Sequence, residues 1–258
     1  MRPNGVKRKL ARGGTTIGTW LTIGHPVIPR VLGPAGFEWL AVDMEHTTVG
    51  LESLPALFMA TEAADMLPLV RVGSHDSALI KRVMDAGSYG VIVPDVRTPD
   101  QARHAVNSVR YPPFGSRGVG LYIAQGFGRT FNDYVAWQRE ESLVVIQIEH
   151  IDAVTRIDSI LSTPGIDAFM VGPYDLSASL GSPGELDSPA VLDALCEIRE
   201  ASKRCGVPPG IHAVASDPAK AIQLAEEGYR FLAYSVDAIL LGDAAFEGVG
   251  RIREETDA

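Results

Sequence analysis

The stretch Trp39-Leu40-Ala41-Val42-Asp43-Met44-Glu45-His46 passes from an apolar run into two carboxylates and an imidazole. Such a run is typical of a buried parallel strand that ends in a functional loop, because parallel strands are covered on both faces and functional side chains concentrate in loops. Two other interpretations stay open from these residues alone. Asp43 could cap the helix that follows, and Glu45 and His46 could be solvated loop residues. A short motif indicates a site only in its structural context.

Short apolar segments like this one recur along the chain and alternate with helix-forming segments. The predicted strands are 16–21, 39–43, 67–72, 90–94, 143–149, 168–171, 210–214 and 231–235. Alternating strands and helices indicate a parallel sheet, and eight such units indicate closure into one (β/α)8 barrel, a TIM barrel, over residues 1–258. A doubly wound open sheet is the alternative, but no G-x-G-x-x-G motif follows the first strand.

One long segment interrupts this alternation. Residues 111–128 contain two prolines and five glycines and are predicted to form a loop. A loop of this length in a compact domain is usually functional or interfacial, although a mobile surface loop is the alternative. Helices are predicted at 6–11, 27–32, 51–64, 76–86, 131–140, 151–161, 190–204 and 218–227, from Thr98-Pro99 onward and from about Ala238 onward.

The composition is that of a soluble globular protein. The net charge of −9 argues against nucleic acid or an anionic membrane surface as a partner. The first 14 residues are basic without an apolar run, so no secretory signal is expected, and no apolar stretch approaches the ~20 residues of a membrane span. The two cysteines, Cys196 and Cys205, do not suggest a disulfide framework. A cytoplasmic location is therefore expected.

Two acids follow consecutive predicted strands. Glu149 ends the fifth strand and Asp175 follows the sixth, so a barrel would place them side by side at the end where barrel enzymes carry their chemistry. Their hard oxygen ligands suit Mg²⁺ or Mn²⁺ with coordination positions left open for substrate. Either acid could instead form a buried salt bridge, and Asp175 could cap a helix.

Other polar residues lie near strand ends. Arg71 could bind a carboxylate or a developing enolate oxygen through its planar guanidinium, or it could pair with a neighbouring acid. His212 is expected to be a hydrogen-bonded barrel residue rather than a ligand, and Cys196 is expected in the core. Lys81 is predicted on a helix, so no lysine stands at a strand end where it could form a Schiff base.

Several segments together resemble the HpcH/HpaI aldolases, a family of metal-dependent (class II) pyruvate aldolases that includes 4-hydroxy-2-oxoheptanedioate aldolase and 2-dehydro-3-deoxyglucarate aldolase. The resemblance covers roughly residues 5 to 245. The matching segments are Ala35-Gly36-Phe37-Glu38-Trp39 with Asp43 and Glu45-His46, Val70-Arg71-Val72, Leu79-Ile80-Lys81 through Asp85-Ala86-Gly87, Arg110-Tyr111-Pro112-Pro113-Phe114-Gly115-Ser116-Arg117-Gly118-Val119-Gly120, Gln147-Ile148-Glu149 and Val171-Gly172-Pro173-Tyr174-Asp175-Leu176-Ser177.

The resemblance implies a role for each site residue. Glu149 and Asp175 would hold the divalent metal, Mg²⁺ or Mn²⁺ with Co²⁺ as a further option. Arg71 would steady the keto or enolate oxygen of the pyruvyl unit. His46 would be the acid/base, acting directly or through a metal-bound water, and Asp85 would orient it.

The resemblance also implies how substrate is bound and how chains assemble. Backbone N–H groups near Tyr174 and Asp175 would receive the pyruvate carboxylate, and Gln147 would shape the site. The implied fold is a TIM barrel of the phosphoenolpyruvate/pyruvate-binding type. The implied assembly is a hexamer, a trimer of dimers that exchange C-terminal helices. Asp43 and Glu45 are then expected to orient the histidine or a metal-bound water.

The reaction that the resemblance implies is reversible retro-aldol cleavage of a 4-hydroxy-2-keto acid to pyruvate and an aldehyde. Alternatives are an oxaloacetate decarboxylase or a macrophomate-synthase-like enzyme that uses the same enolate, a citrate-lyase-β-like enzyme, and a non-catalytic barrel. The segment 121–128 differs from the small and basic residues expected in the type member of this family. Its composition favours the hypothesis that the aldehyde lacks a distal carboxylate or is larger and apolar.

Overall fold

The computed structural model describes residues 1–256, in which eight parallel strands form a closed barrel in the order β1 to β8. The strands are β1 Thr16–Leu21, β2 Trp39–Asp43, β3 Leu67–Arg71, β4 Gly90–Val93, β5 Leu143–Ile148, β6 Ala168–Val171, β7 Pro209–Ala213 and β8 Phe231–Val236. The predicted (β/α)8 barrel is confirmed, and each predicted strand is found within one residue at either end.

Helices surround the barrel. They are α1 Gly5–Leu10, α2 Val27–Leu32, α3 Leu54–Ala63, α4 Ser77–Asp85, α5 Pro99–Val109, α6 Phe131–Glu141, α7 Ile151–Val154, α8 Ile157–Leu161, α9 Pro173–Ser179, α10 Pro189–Cys205, α11 Pro218–Glu226 and α12 Asp237–Thr256. At α5, Thr98 and Gln101 form a reciprocal capping box with proline in the first turn, so the predicted start of this helix is confirmed.

The barrel interior is filled by large side chains rather than open. The ring of Trp39 stacks on Phe231 with centroids 4.3 Å apart. A Cβ at Gly18 would lie 1.9 Å from the Trp39 ring, so only glycine leaves room for this indole. Val6 and Leu10 of α1 join the same apolar cluster. The short basic helix predicted at the N-terminus therefore packs its apolar side against the barrel interior.

A second apolar layer lies between the strands and the outer helices. It contains side chains that alternate with those of the interior along each strand, including Leu40 and Val42 of β2. Because both faces of the sheet are covered, the strands consist of nearly continuous apolar residues, as parallel strands require.

Three predictions need correction. Segment 151–161 forms two short helices, α7 and α8, rather than one. The helix α9 was not predicted; Gly172 is its N-cap and Asp175 lies inside its first turn, so Asp175 does not cap it. Cys196 is exposed rather than buried in the core. Residues 111–128 form the predicted loop, which ends in a 3-10 turn at Gly126–Gly128.

Among residues 1–256, the structure contains no helix that is both long and apolar enough to cross a membrane.

Candidate functional site

The carboxyl ends of β2, β3, β5 and β6 bring polar side chains together at one mouth of the barrel. The acids Asp43, Glu45, Glu149 and Asp175 surround this mouth with Arg71 and Gln147. Enzymes with a (β/α)8 barrel have their active sites at this end, because the loops that follow the strands meet there. Each residue predicted at a strand end from sequence is thus placed at one end of the barrel.

Arg71 is held in a fixed orientation by Asp43. Strands β2 and β3 place these two residues opposite each other in register. Arg71 Nε donates to Asp43 Oδ1 at 2.9 Å and Nη2 donates to Oδ2 at 2.7 Å. The guanidinium also lies over the ring of Trp20, 4.4 Å from its centroid. Within residues 1–256 its remaining nitrogen, Nη1, makes no hydrogen bond, so this nitrogen can bind a substrate oxygen.

Asp43 is the neighbouring acid with which Arg71 pairs, and it also fixes the turn that follows β2. Oδ1 also accepts from the backbone N–H groups of Glu45 at 3.0 Å and His46 at 3.3 Å, which shapes the turn after β2 rather than capping a later helix. Although burial opposes it, the hydrogen bonds and charge of Arg71 lower the pKa of Asp43. Asp43 is therefore an anion that orients Arg71 and also fixes the backbone of His46.

Glu149 is buried and accepts hydrogen bonds from two neighbours. Oε1 accepts from the backbone N–H of Asp95 at 2.6 Å, and Oε2 accepts from Nε2 of Gln147. A Cβ on Gly172 would lie 2.5 Å from Oε2, so only glycine at this position leaves room for the carboxylate. Burial raises the pKa of Glu149 to about 7, and the charges of Glu45 and Asp175 contribute to the increase.

Glu45 experiences the same concentration of negative charge. Burial raises its pKa to about 6, and the nearby carboxylates of Asp43, Asp175 and Asp95 add to the effect against the opposing charge of Arg71. Its Oε2 lies 3.3 Å from Arg71 Nε but accepts no hydrogen bond within residues 1–256. This buried acceptor is available to another cation or to a donor on a ligand.

His46 is the exposed imidazole at this mouth. Its side chain is 62% exposed, and Nε2 lies 3.5 Å from Oε2 of Glu45. A carboxylate at this distance can orient the imidazole ring. The imidazole is therefore accessible to a substrate that enters the barrel mouth.

Asp85 is not brought to His46 within one chain. It is the last residue of α4, and a helix that follows a strand runs back toward the opposite end of the barrel. Its Oδ1 accepts from Arg117 at 2.5 Å and from Gln125 at 2.8 Å, both in the long loop. Because no hydrogen bond joins Asp85 to His46 in the described part of the chain, the contacts of one chain do not support the orienting role expected for Asp85.

His212 fills the structural role expected for it. Its Nε2 donates to the main-chain oxygen of Ser235 at 3.1 Å, and its ring packs edge-on against Trp20. Burial lowers its pKa to about 4, so the ring is neutral at pH 7. Ser235 is buried, and its hydroxyl donates to the main-chain oxygen of Val214.

The residues at the mouth fit a divalent cation. Within residues 1–256 no three His, Cys, Asp or Glu side chains converge as a complete ligand set. The negative charge of Asp175 nonetheless contributes to the raised pKa of Glu149, and within the described residues Oε1 of Gln147 is buried without a hydrogen-bond partner. Two hard carboxylates with room for water and substrate are the donors that Mg²⁺ and Mn²⁺ prefer. A cation here would also relieve the repulsion between the carboxylates.

Sequence reasoning missed three residues of this site. Trp20 stacks on Arg71, the backbone of Asp95 binds Glu149, and Gly172 makes space for that carboxylate. Of these three residues, only Asp95 could have been identified from sequence, because it is an acid directly after the apolar fourth strand. The contributions of Trp20 and Gly172 depend on packing between strands, which a local motif does not reveal.

Comparisons with known proteins agree on one family. The sequence profile of the HpcH/HpaI aldolase/citrate lyase family matches residues 16–244. The 5-keto-4-deoxy-D-glucarate aldolase of Klebsiella pneumoniae is 37% identical over 235 residues, 91% of each chain. An HpcH/HpaI aldolase/citrate lyase family protein of Burkholderia cenocepacia superposes with a TM-score of 0.92 and 35% identity, covering 97% of this chain and 99% of that one. An HpcH/HpaI aldolase of Desulfitobacterium hafniense gives a TM-score of 0.90 and 32% identity, covering 98% of each chain.

Proposed function

This chain belongs to the HpcH/HpaI aldolase/citrate lyase family and is a carbon–carbon lyase, and on that premise we propose a specific reaction for it. The proposed reaction is divalent-metal-dependent, reversible cleavage of a 4-hydroxy-2-keto acid to pyruvate and an aldehyde. One observation carries the proposal. Arg71 is fixed by Asp43 with one nitrogen left free, at the same barrel mouth as the carboxylates of Glu149 and Asp175.

Glu149 and Asp175 would hold the metal, with Mg²⁺ or Mn²⁺ favoured by the oxygen donors and Co²⁺ as a further option. When bound, the metal supplies a Lewis acid that polarises the 2-keto group of the substrate. Gln147 orients one of these ligands, because its Nε2 donates to Oε2 of Glu149. Its Oε1 is buried without a hydrogen-bond partner within residues 1–256 and is a further acceptor that shapes the site.

Arg71 stabilises the negative charge that develops on the keto oxygen. The side-on pair with Asp43 leaves Nη1 as the free donor, and the stacked ring of Trp20 limits rotation of the guanidinium. A donor that is oriented before the reaction contributes more to the rate than one that must reorganise during it.

His46 is the proposed acid and base. The imidazole takes the proton from the C4 hydroxyl while the C3–C4 bond breaks, so that an aldehyde leaves and the electron pair forms the enolate of pyruvate. The resulting imidazolium returns the proton to C3, which completes pyruvate. Glu45 places a carboxylate oxygen 3.5 Å from Nε2 of His46 and orients the imidazole for these proton transfers.

The first turn of α9 is the proposed site for the pyruvyl carboxylate. No side chain within residues 1–256 caps this helix, so the backbone N–H groups near Tyr174 and Asp175 are available as donors. Carboxylates are favourable ligands for such groups. The same turn carries the Asp175 side chain, so metal and carboxylate sites are adjacent.

The proposal extends to location and assembly. We infer a cytoplasmic enzyme, because both cysteines are free thiols and fall on or next to helix α10. We infer a hexamer built as a trimer of dimers that exchange their C-terminal helices. The apolar side chains that α12 leaves exposed support burial of this helix against another chain.

The test is pyruvate release from a panel of 4-hydroxy-2-keto acids, coupled to lactate dehydrogenase, with and without a chelator. Activity is expected to disappear on chelation and to return with Mn²⁺ or Mg²⁺. His46→Ala is expected to lower kcat by about 10²–10⁴-fold, the usual contribution of a general acid/base.

The matched control is His104→Gln, which changes an exposed histidine on α5 whose imidazole hydrogen-bonds the backbone of His75. It is expected to leave kcat unchanged. Wild-type rates after chelation, or in His46→Ala, would contradict the mechanism. Release of CO₂ from oxaloacetate without any aldol cleavage would support the decarboxylase alternative instead.

A further inference from the structure

The loop between β4 and α5 places an arginine at the rim of the barrel mouth. Arg97 lies two residues after Asp95, and 39% of its side-chain surface is exposed. Its Nε donates to Oδ1 of Asp95 at 2.6 Å, and its backbone N–H donates to Oε1 of Gln101 at 2.8 Å. Gln101 therefore fixes the backbone of Arg97, and Asp95 orients its side chain.

The anchor of this arginine is part of the site itself. The backbone N–H of Asp95 donates to Oε1 of Glu149, one of the two proposed metal ligands, at 2.6 Å. Asp95 has a φ of 48°, in the left-handed region that residues other than glycine seldom adopt. This conformation directs its backbone N–H toward Glu149 while its side chain binds Arg97, so the loop couples the two residues.

The two terminal nitrogens of the Arg97 guanidinium make no hydrogen bond within residues 1–256, although the charges of Asp152 and Glu149 act on this side chain. Among the residues described, the side-chain hydrogen bonds of Arg97 come from Nε alone, so Nη1 and Nη2 have no partner. Arg71, in contrast, uses Nε and Nη2 on Asp43. Two parallel donors at the end of a guanidinium match the two oxygens of a carboxylate. Arg97 thus presents an oriented carboxylate-binding fork beside the site.

The barrel mouth is strongly negative, so an anionic group of a substrate would need a cation such as Arg97 there. Five carboxylates surround the mouth, on Asp43, Glu45, Asp95, Glu149 and Asp175, and the chain carries a net charge of −9. A substrate with a second anionic group would be repelled unless a cation receives it. The segment 121–128 supplies none, but Arg97 provides one from a different loop.

We propose that Arg97 is a specificity-determining residue that binds a second carboxylate of the substrate, remote from its pyruvyl unit. Asp95 is a positioning residue that holds Arg97 by Nε and leaves its two terminal nitrogens for the ligand. This inference rests on the proposed function, since it assumes that a 2-keto acid occupies the mouth. It replaces the expectation, drawn from segment 121–128, that the aldehyde lacks a distal carboxylate.

The test compares binding of 2-oxoadipate and 2-oxohexanoate by calorimetry in the presence of Mg²⁺. These ligands share a six-carbon 2-keto acid chain and differ in a terminal carboxylate or methyl group, and neither has the C4 hydroxyl that cleavage requires. The wild-type protein is expected to bind 2-oxoadipate at least about tenfold more tightly. Arg97→Gln is expected to abolish this preference without weakening 2-oxohexanoate.

Two further variants separate charge from geometry. Arg97→Lys keeps the charge without the planar fork and is expected to restore part of the preference. Asp95→Asn keeps a backbone N–H for Glu149, tolerates the left-handed conformation and retains an acceptor for Arg97. It is expected to reduce the preference less than Arg97→Gln does.

The control is Arg103→Gln, which removes an exposed arginine paired with Asp100 on α5, outside the mouth. It is expected to retain the full preference. A wild-type protein that binds 2-oxoadipate no better than 2-oxohexanoate overturns the inference, as does an equal loss for both ligands in Arg97→Gln. Failure of the wild type to release pyruvate would contradict the proposed function alone, because the binding comparison involves no cleavage.

Discussion

At the scale of single residues, Glu149 is a proposed metal ligand whose protonation would oppose binding of the metal. Burial, together with the charges of Glu45 and Asp175, raises its pKa to about 7. A raised pKa means that the folded protein holds a proton that an exposed glutamate would have released at pH 6. A cation must displace this proton, since carboxylates bind metals in their ionised form.

We therefore expect metal binding to weaken as pH falls. With a pKa of about 7, lowering the pH from about 8 to about 6 should raise the Kd for Mn²⁺ about tenfold, and binding near pH 6 should release about one proton. Calorimetry in buffers of different ionisation enthalpy measures both quantities. Glu149→Gln should lose the proton release together with most of the affinity, and a Kd that is unchanged over this range would refute the linkage.

Residue types at the site could be predicted from sequence, but their partners could not. His46 and Arg71 were identified because polar residues at the end of an apolar strand are conspicuous. The pairing of Asp43 with Arg71 depends on the register of β2 against β3, which no local pattern specifies. The pairing of Asp85 with His46 stays a prediction, because within residues 1–256 of one chain Asp85 ends α4 and binds Arg117 and Gln125 instead.

At the scale of elements, the long loop is fixed to the barrel by one buried ion pair. Arg117 is fully buried, with Nη2 on Asp85 and Nη1 on the hydroxyl of Tyr134 at 2.8 Å. Its guanidinium also lies 4.7 Å from the centroid of the Tyr111 ring. Gln125, near the far end of the loop, binds the same carboxylate. Asp85 thus holds the loop at two distant points.

Removing this carboxylate should destabilise the protein whatever its effect on catalysis. Asp85→Ala leaves Arg117 buried without a charge partner and is expected to lower the free energy of unfolding by about 3–5 kcal/mol. Urea denaturation measures this change, and limited proteolysis should show faster cleavage within 111–128.

Asp100→Ala serves as the control, because its ion pair with Arg103 is exposed and contributes about 1 kcal/mol or less. Equal losses of stability in both variants would rule out the anchoring role. Faster proteolysis of Asp85→Ala outside residues 111–128, and not within them, would also rule out the anchoring role.

Elements were predicted reliably where hydrophobic periodicity was strong. Strands β1, β2 and β6 were predicted at their observed bounds, since each is a compact apolar run between turn residues. Helix α9 was missed because it has seven residues and begins at Gly172-Pro173, a pair that usually marks a turn. The position of α9 follows from the structure, in which this helix begins directly after β6.

At the scale of the whole molecule, the family assignment and the barrel were both accessible from sequence. The family resemblance is confirmed by a match over residues 16–244. The barrel followed from eight repeated strand–helix units, which restrict a parallel sheet to few topologies. Interior packing was not accessible, because the fit of Trp39 over Gly18 depends on the curvature of the closed barrel.

The last helix carries exposed apolar side chains that support the proposed assembly of several chains. Asp237 anchors the start of α12 by accepting hydrogen bonds from the backbone N–H groups of Thr22 and Ile23. Beyond this anchor, α12 exposes the large apolar side chains Leu241, Phe246, Val249 and Ile252, and Phe246 is 82% exposed. Apolar residues in such a row along a helix usually mark an interface between proteins.

We expect the protein to behave in solution as an assembly of several 27.6 kDa chains, with six as the proposed number. Phe246→Asp places a charge in the proposed interface and should shift the mass measured by light scattering after size-exclusion chromatography toward smaller species. Glu247→Gln, at an exposed position beside it, should keep the wild-type mass. A wild-type protein that elutes with the mass of one chain would contradict the assembly without affecting the assignment of Arg97, because every contact of that residue described above lies within a single chain.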